Sequence, residues 1–350
     1  MAVAVYSSSP VIPGADVRHL QQIALPVADS TQVSEARRSV AERTSALRFS
    51  NRTAGEAAIV ATEMAGNLVK HGGGGELLLR TVGDAAHAGI ELLALDRGPG
   101  MDVARCLVDG FSTASSPGTG LGAIRRLASS SDFYGLQDRG SAVLATIWSS
   151  AAPAEADQWV VGGVNVPLPG EEICGDAWVV RCHDRGVDVM MVDGLGHGPQ
   201  AAKASEAAAM AFLGRGGRSP SQQLADADDA LQATRGAAMG VAVIDPHRGQ
   251  VTFAGVGNTA AMVVKGEAVQ HLVSFGGIVG RRNIPLREFT ALWSADSMFL
   301  AHSDGIATRW SLSAYPGLAD RHPSLIAGVL YRDFARGRDD ASVLVIKPKP

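Results

Sequence analysis

The stretch Glu63-Met64-Ala65-Gly66-Asn67-Leu68-Val69-Lys70-His71-Gly72 decides the reading of the first half of the chain. It continues a helical pattern predicted over about 54–69. Glu63, Asn67 and Lys70 stand at i, i+4 and i+7, so one helix face carries a carboxylate, an amide and an ammonium. An amide oxygen is a hard ligand suited to Mg2+, and a lysine one turn onward can meet a phosphate. Glu63 is placed to take a proton from a hydroxyl attacking a γ-phosphate. Taken alone, the spacing also fits an ordinary solvated helix face.

The company this helix keeps argues for a ligand. Asp96-Arg97-Gly98-Pro99-Gly100 follows an apolar strand, which sets a carboxylate at a strand end beside glycines that let a ligand come close. Gly118-Thr119-Gly120-Leu121-Gly122 then opens a helix, where free backbone amides and the positive dipole end suit a phosphate. Either glycine motif alone is weak, because loops use such sequences routinely. Their order along the chain is the signal. Around them the sequence predicts an extended segment over 23–27 and a helix capped by Asp29 or Ser30 that runs to about Leu47. Strands follow over 76–82, 89–95 and 142–148, in an α/β sandwich pattern.

This ordered set resembles the GHKL ATPase superfamily: Glu63 and Asn67 as its N box, Asp96, Gly98 and Gly100 as its G1 box, Gly118 to Gly122 as its G2 box. The resemblance covers about 20–148 and implies a Bergerat-type α/β sandwich that binds Mg-ATP. It implies that Asp96 takes the adenine amino group and Asn67 the magnesium. Lys70, Gly98, Gly100, Gly118, Thr119, Gly120 and Gly122 would line the nucleotide, under a short lid over 101–117. The compact form is most similar to anti-sigma-factor and switch-protein kinases of the RsbW and RsbT type, which phosphorylate Ser or Thr on a small STAS-domain partner. A sensor histidine kinase, whose G2 box also reads GTGLG, needs a phosphoacceptor histidine on an upstream helix pair. Here only His19 precedes the N box.

A chain of 350 residues with 46% hydrophobic and 19% charged residues has the material for two cores. The segment 149–157, Ser-Ser-Ala-Ala-Pro-Ala-Glu-Ala-Asp, is the expected linker between domains at 1–148 and 158–350. A net charge of −4 gives no electrostatic reason to expect nucleic acid or an anionic membrane. Cys106, Cys174 and Cys182 form no CxxC pair, no signal peptide is legible, and no apolar run is long enough to span a bilayer, so a cytoplasmic location is expected.

Past the linker the chain is rich in short strands. They are predicted near 159–166, 175–183, 187–193, 238–245, 250–256, 260–264, 297–301 and 341–347, with helices near 199–213, 220–234 and 323–335, which suggests two sheets covered by helices. Four aspartates fall at strand ends or turns: Asp176, Asp193, Asp304 and Asp339. Each one alone fits a structural Asp-Gly turn. Brought together, their mutual repulsion calls for cations, and oxygen-only ligands select Mg2+ or Mn2+. A cysteine phosphatase would need an arginine six residues after its cysteine, and none of the three cysteines has one.

This half resembles the short bacterial SpoIIE and RsbX-like branch of the metal-dependent PPM protein phosphatases over about 159–347. The matching residues are Gly175-Asp176, Asp193-Gly194 with the following Gly-His-Gly, Ser303-Asp304-Gly305 and Asp339-Asp340. The resemblance implies a β-sandwich flanked by helices, with Asp193 as the catalytic ligand bridging two Mg2+ or Mn2+ ions. Gly194 would add its carbonyl, and Asp304 and Asp339 would complete the site. Cys174 and Ala341-Ser342 depart from the family pattern. His197 reads either as a general acid or as a turn-shaping group. The combined expectation is a bifunctional regulator that phosphorylates and dephosphorylates a STAS-type switch protein and so controls a sigma-factor or stress-response output. The alternative is an anti-sigma-like binding module in which ATP sets affinity and the phosphatase is the only enzyme.

Overall fold

The computed structural model describes residues 4–7, 22–83, 87–106, 120–150, 158–214 and 216–349. Packing divides the chain into two units. An N-terminal unit takes Asp16–Ala156 together with Leu312–Arg332. A C-terminal unit takes Met1–Ala15, Asp157–Ser311 and Asp333–Pro350, and includes the short strand β1 (Ala4–Ser7). The boundary therefore differs from the one read in the sequence. A helix that the sequence assigns to the second half packs with the first, and β1 pairs with a strand of the second. Most of the expected linker, 151–157, lies outside the described residues, as do His19 and residues 107–117 of the expected lid.

In the N-terminal unit, β2 (Ile23–Val27) leads into α1 (Ser30–Ala46) and α2 (Asn51–Lys70). Both helices begin where a side chain can satisfy an orphan amide. Asp29 accepts from the N–H groups of Thr31 and Gln32, and Ser50 accepts from Thr53. Next come β3 (Gly75–Gly83), β4 (Ala88–Leu95), α3 (Val103–Cys106), α4 (Gly120–Leu127), β5 (Ser130–Gly135) and β6 (Ser141–Trp148). The strands form an antiparallel sheet in the order β2-β3-β4-β6-β5, with Leu79 opposite Leu92 and Leu93 opposite Leu144. Alternation sends Leu77, Leu79, Ile90, Leu92 and Ile147 to one face, where they meet Val40 of α1, Val60, Met64 and Leu68 of α2, and Ile124 of α4.

The residues between them, Leu78, Leu93, Leu95 and Leu144, are buried too. Both faces of this sheet are therefore covered, which is why Leu-Leu-Ala-Leu reads as a continuous apolar run instead of alternating. The helix Pro323–Phe334 supplies contacts on that second face: a Cβ on Gly328 would lie 2.6 Å from Leu93 Cδ2 and 3.1 Å from Leu95 Cδ2.

The C-terminal unit contains β7 (Trp159–Val166), β8 (Asp176–His183), β9 (Gly186–Gly194), α5 (Pro199–Gly214), α6 (Pro220–Leu231), β10 (Ala237–Asp245) and β11 (Gln250–Val256). It continues with β12 (Ala260–Lys265), β13 (Ala268–Leu272), β14 (Ser274–Phe275), β15 (Phe289–Leu292), β16 (Met298–His302) and β17 (Ala341–Pro348); the helix Pro323–Phe334, between the last two, is α7. Among the described residues, one sheet runs β1-β8-β9-β10-β11-β14 with β15 on β11, and the other runs β13-β12-β16-β17-β7. Trp178, Val180, Val189 and Met191 of the first sheet face Val263, Phe299, Leu344 and Ile346 of the second, while Ala177, Val179, Met190 and Val192 pack on Ala208 and Phe212 of α5 and Leu224 of α6. The expected β-sandwich with flanking helices is present, with α5 and α6 on one sheet. Among the described residues, no helix is long and apolar enough to cross a membrane.

Candidate functional site

Glu63, Asn67 and Lys70 lie on the C-terminal half of α2, with Lys70 exposed at its last position. Gly120, which opens α4, sits against the first two: a Cβ there would be 2.9 Å from Glu63 Oε2 and 3.6 Å from Asn67 Oδ1. The N and G2 boxes therefore meet, with Gly122 buried two residues further into α4. Gly118 and Thr119 lie outside the described residues.

The G1 box closes on the same helix. Asp96 follows β4, and Gly98 packs backbone against backbone on the turn that ends α2, where a Cβ would come within 2.9 Å of Gly72 Cα. Gly100 has φ +77°, and a side chain there would strike the Leu136 carbonyl. Asp96 Oδ1 accepts from the Gly98 and Ser141 N–H groups at 2.9 and 3.1 Å. Burial raises the Asp96 carboxyl above the usual range, opposed by these two amides and by the positive charge of Arg332. One carboxylate oxygen is thus fixed by the backbone, which orients the other.

In the C-terminal unit, Asp176 opens β8 and stands directly opposite Asp193 near the end of β9. Cross-strand partners in register present their side chains on one face, so the two carboxylates are neighbours by construction. Asp176 is buried, and its Oδ2 has no hydrogen-bond partner. Its pKa is pushed well above the carboxylate range by burial first and the Asp193 charge next, against hydrogen bonds from Ser303 and Ser342. Asp193 is pushed up to about 7, by burial and then by the charges of Asp304, Asp339 and Asp340. Gly194 follows Asp193, with its N–H on the Gly175 carbonyl at 3.2 Å. Asp304 accepts from the Asn258 amide, and Asp339 Oδ1 accepts from the Asp340 N–H at 3.0 Å. Among the described residues, no three acidic, histidine or cysteine side chains form a ready-made metal cage. Mg2+ does not require one, since it keeps several waters and takes one or two carboxylates at a time.

Residues 27–147 match the histidine kinase-like ATPase domain, and residues 183–349 match the stage II sporulation protein E (SpoIIE) domain. The chain joins an ATPase domain to a SpoIIE domain. Serine/threonine-protein kinase RsbT of Bacillus subtilis (strain 168) is 31% identical over 88 residues, which is 25% of this chain and 66% of that protein. Phosphoserine phosphatase RsbX of the same strain is 26% identical over 139 residues, 39% of this chain and 69% of that one. Among solved structures, a chain from a study of the bacterial stressosome as a modular system shares the fold with TM-score 0.52 and 24% identity, over 55% of this chain and 100% of that chain.

Asn165 and Glu171, at the edge of the acidic site, are not among the residues named from the sequence, and Asp340, Ser342 and His197 are named there without a ligand role. Asp340, next to Asp339, is the buried member of the pair: its two oxygens accept from Leu168 N–H and Gly175 N–H, each at 2.7 Å. It ties the loop after β7 to the turn before Asp176. Ser342, which departs from the family pattern, accepts from the Asn165 amide at 2.9 Å and bonds to Asp176. His197 is exposed, and its Nδ1 lies 2.6 Å from Glu171 Oε1. An Asp-Asp pair just before an apolar strand was a usable signal for Asp340; Asn165 and Glu171 had none.

Proposed function

We propose that the chain is a bifunctional signalling regulator. Its ATPase domain phosphorylates a serine or threonine of a STAS-domain switch protein, its SpoIIE domain removes that phosphate, and the balance sets a sigma-factor or stress-response output. The observation that carries the hydrolytic half is the register pair Asp176 and Asp193, with Asp304, Asp339 and Asp340 near enough to raise the Asp193 carboxyl. Carboxylates crowded in a partly dry site need a countercharge to remain ionised together. All the donors are hard oxygens and one of them, Asp176 Oδ2, is buried without a partner, so the set fits Mg2+ or Mn2+.

Asp193, the Gly194 carbonyl, Asp304 and Asp339 would hold two such ions, with Asp176 joined through water. Bound there, the ions supply a water activated for attack on a phosphoryl group. The chain's own contribution is positional. Asp340 fixes the loops around Asp176, Asn258 holds Asp304, and Ser303 and Ser342 hold the Asp176 carboxylate.

On the nucleotide side, the contact of Gly120 with Glu63 and Asn67 supports transfer. Asp96 would accept the adenine amino group, Asn67 would hold the nucleotide's Mg2+, and amides at the start of α4 would receive phosphate oxygens. Glu63 takes the proton of the attacking hydroxyl. The activities of RsbT and RsbX, a Ser/Thr kinase and a phosphoserine phosphatase, point the same way. Incubating the full chain with a STAS-domain protein and γ-labelled ATP should label that protein. Removing ATP and adding Mn2+ should then release the label as phosphate. Stable capture of the STAS protein without labelling would sink the kinase half.

A further inference from the structure

We infer that Arg332, from the segment Leu312–Arg332, is a positioning residue of the nucleotide site, holding Asp96 in place for adenine. The inference rests on the reading of Asp96 as the adenine acceptor and adds to it a residue that lies in sequence within the SpoIIE match, 183–349.

The segment is docked at both ends on the second face of the ATPase sheet. At the start of α7, the Ser324 hydroxyl donates to Glu91 at 2.9 Å and accepts from Arg80 at 3.3 Å, and His322 N–H donates to Asp132 at 2.7 Å. In the middle, the missing side chain of Gly328 lets the helix approach Leu93 and Leu95. At the far end, Arg332 is 4% exposed, and its Nη1 donates to the carbonyl oxygens of Asp96 at 2.9 Å and Ser141 at 3.2 Å. Arg97 donates in turn to the Arg332 carbonyl.

These two carbonyls are not arbitrary. Asp96 N–H donates to the Ser141 carbonyl at 3.1 Å, and Ser141 N–H donates to Asp96 Oδ1 at 3.1 Å. Arg332 therefore grips both residues at the one place where their backbones fix the carboxylate. A guanidinium suits the task because its donors sit in a rigid fork and its charge survives burial. Its charge also opposes the burial that would protonate Asp96. Loss of the grip should leave the fold of the strands in place and let the carboxylate turn away from the adenine amino group.

The test is calorimetry on the full chain with ATP and with inosine triphosphate, which carries an oxo group where adenine has its amino group. Arg332→Gln is expected to weaken ATP binding by about tenfold to a hundredfold, the range for a charge-assisted hydrogen bond, and to leave inosine triphosphate nearly unchanged. Arg332→Lys should fall between. Ser324→Ala, which loosens the same helix at its other end, should keep ATP affinity within about twofold, inside the spread of a distant, uncoupled site. Equal losses for both nucleotides, or an equal loss in Ser324→Ala, would reduce Arg332 to a structural residue and overturn the proposal. If Arg332→Gln does not unfold cooperatively, Arg332→Lys decides: an unchanged ATP preference overturns it. Asp96→Asn separates the two layers. Wild-type ATP affinity in Asp96→Asn removes the adenine reading and the Arg332 role with it; loss in Asp96→Asn with full retention in Arg332→Gln removes the Arg332 role alone.

Discussion

In chelated protein at pH 8, replacing Asp193 with asparagine is expected to stabilise the fold. Burial and the charges of Asp304, Asp339 and Asp340 raise the Asp193 carboxyl from 3.8 to about 7. At 1.36 kcal/mol per pH unit, ionising it in the folded state opposes folding by about 4 kcal/mol. The sign follows from proton binding. The folded state holds its proton more tightly than the unfolded one, so stability falls as pH rises from about 4 and the full penalty is reached above about 7. Asparagine keeps the shape, and its amide oxygen can still accept the Asp304 N–H, but it carries no charge. A gain of this size corresponds to a rise of roughly 10 °C in unfolding temperature for a domain of this size. The assay is scanning calorimetry in chelator at pH 8 and pH 4, where the gain should shrink toward zero. Adding Mn2+ should reverse the order, because only the wild type then gains from ligand binding. A variant no more stable than wild type at pH 8 in chelator would refute the reasoning.

Other outcomes follow from the same geometry. Glu63→Gln should keep ATP affinity in calorimetry while losing about 10²- to 10⁴-fold in phosphate transfer to a STAS-domain partner, since only the proton acceptor is removed. Glu91→Ala should lower stability by about 3–5 kcal/mol in denaturant unfolding, because it removes the countercharge of the buried Arg80 guanidinium 2.6 Å away. Asp340→Ala should destabilise by about 1–3 kcal/mol by orphaning the buried Gly175 amide and loosening the Leu168 loop, more than Asp339→Ala does in the same assay.

The parts of the fold legible in the sequence are those written in short-range chemistry. Asp29 stands where a helix must start, and the strands over 76–82 and 89–95 show their apolar runs. The glycines around Asp96 and Gly120 mark backbone that must come close to other backbone. What the sequence hid is long-range. β5 reads Ser-Ser-Asp-Phe-Tyr-Gly, with only its end buried, and is a strand because β6 offers it an edge. The partner of α7 could not be seen, because nothing in Pro323–Phe334 says which sheet it covers; the hint lay far upstream, in the unbroken apolar run of β4, which demands cover on both faces. At the acidic site, the turn motifs drew attention to Asp339, while burial and two backbone amides make Asp340 the anchor. Those amides come from residues more than 160 positions away, beyond any local pattern.

Metal-dependent phosphoester hydrolysis is to be assayed with the full chain on a phosphoserine peptide and on an aryl phosphate, with Mn2+ and with excess chelator, for wild type and Asp193→Ala. The wild type should hydrolyse both only when Mn2+ is present, and Asp193→Ala should lose at least about 10²-fold, which added metal does not restore. Hydrolysis that survives both chelation and the loss of Asp193 would contradict a metal-dependent site.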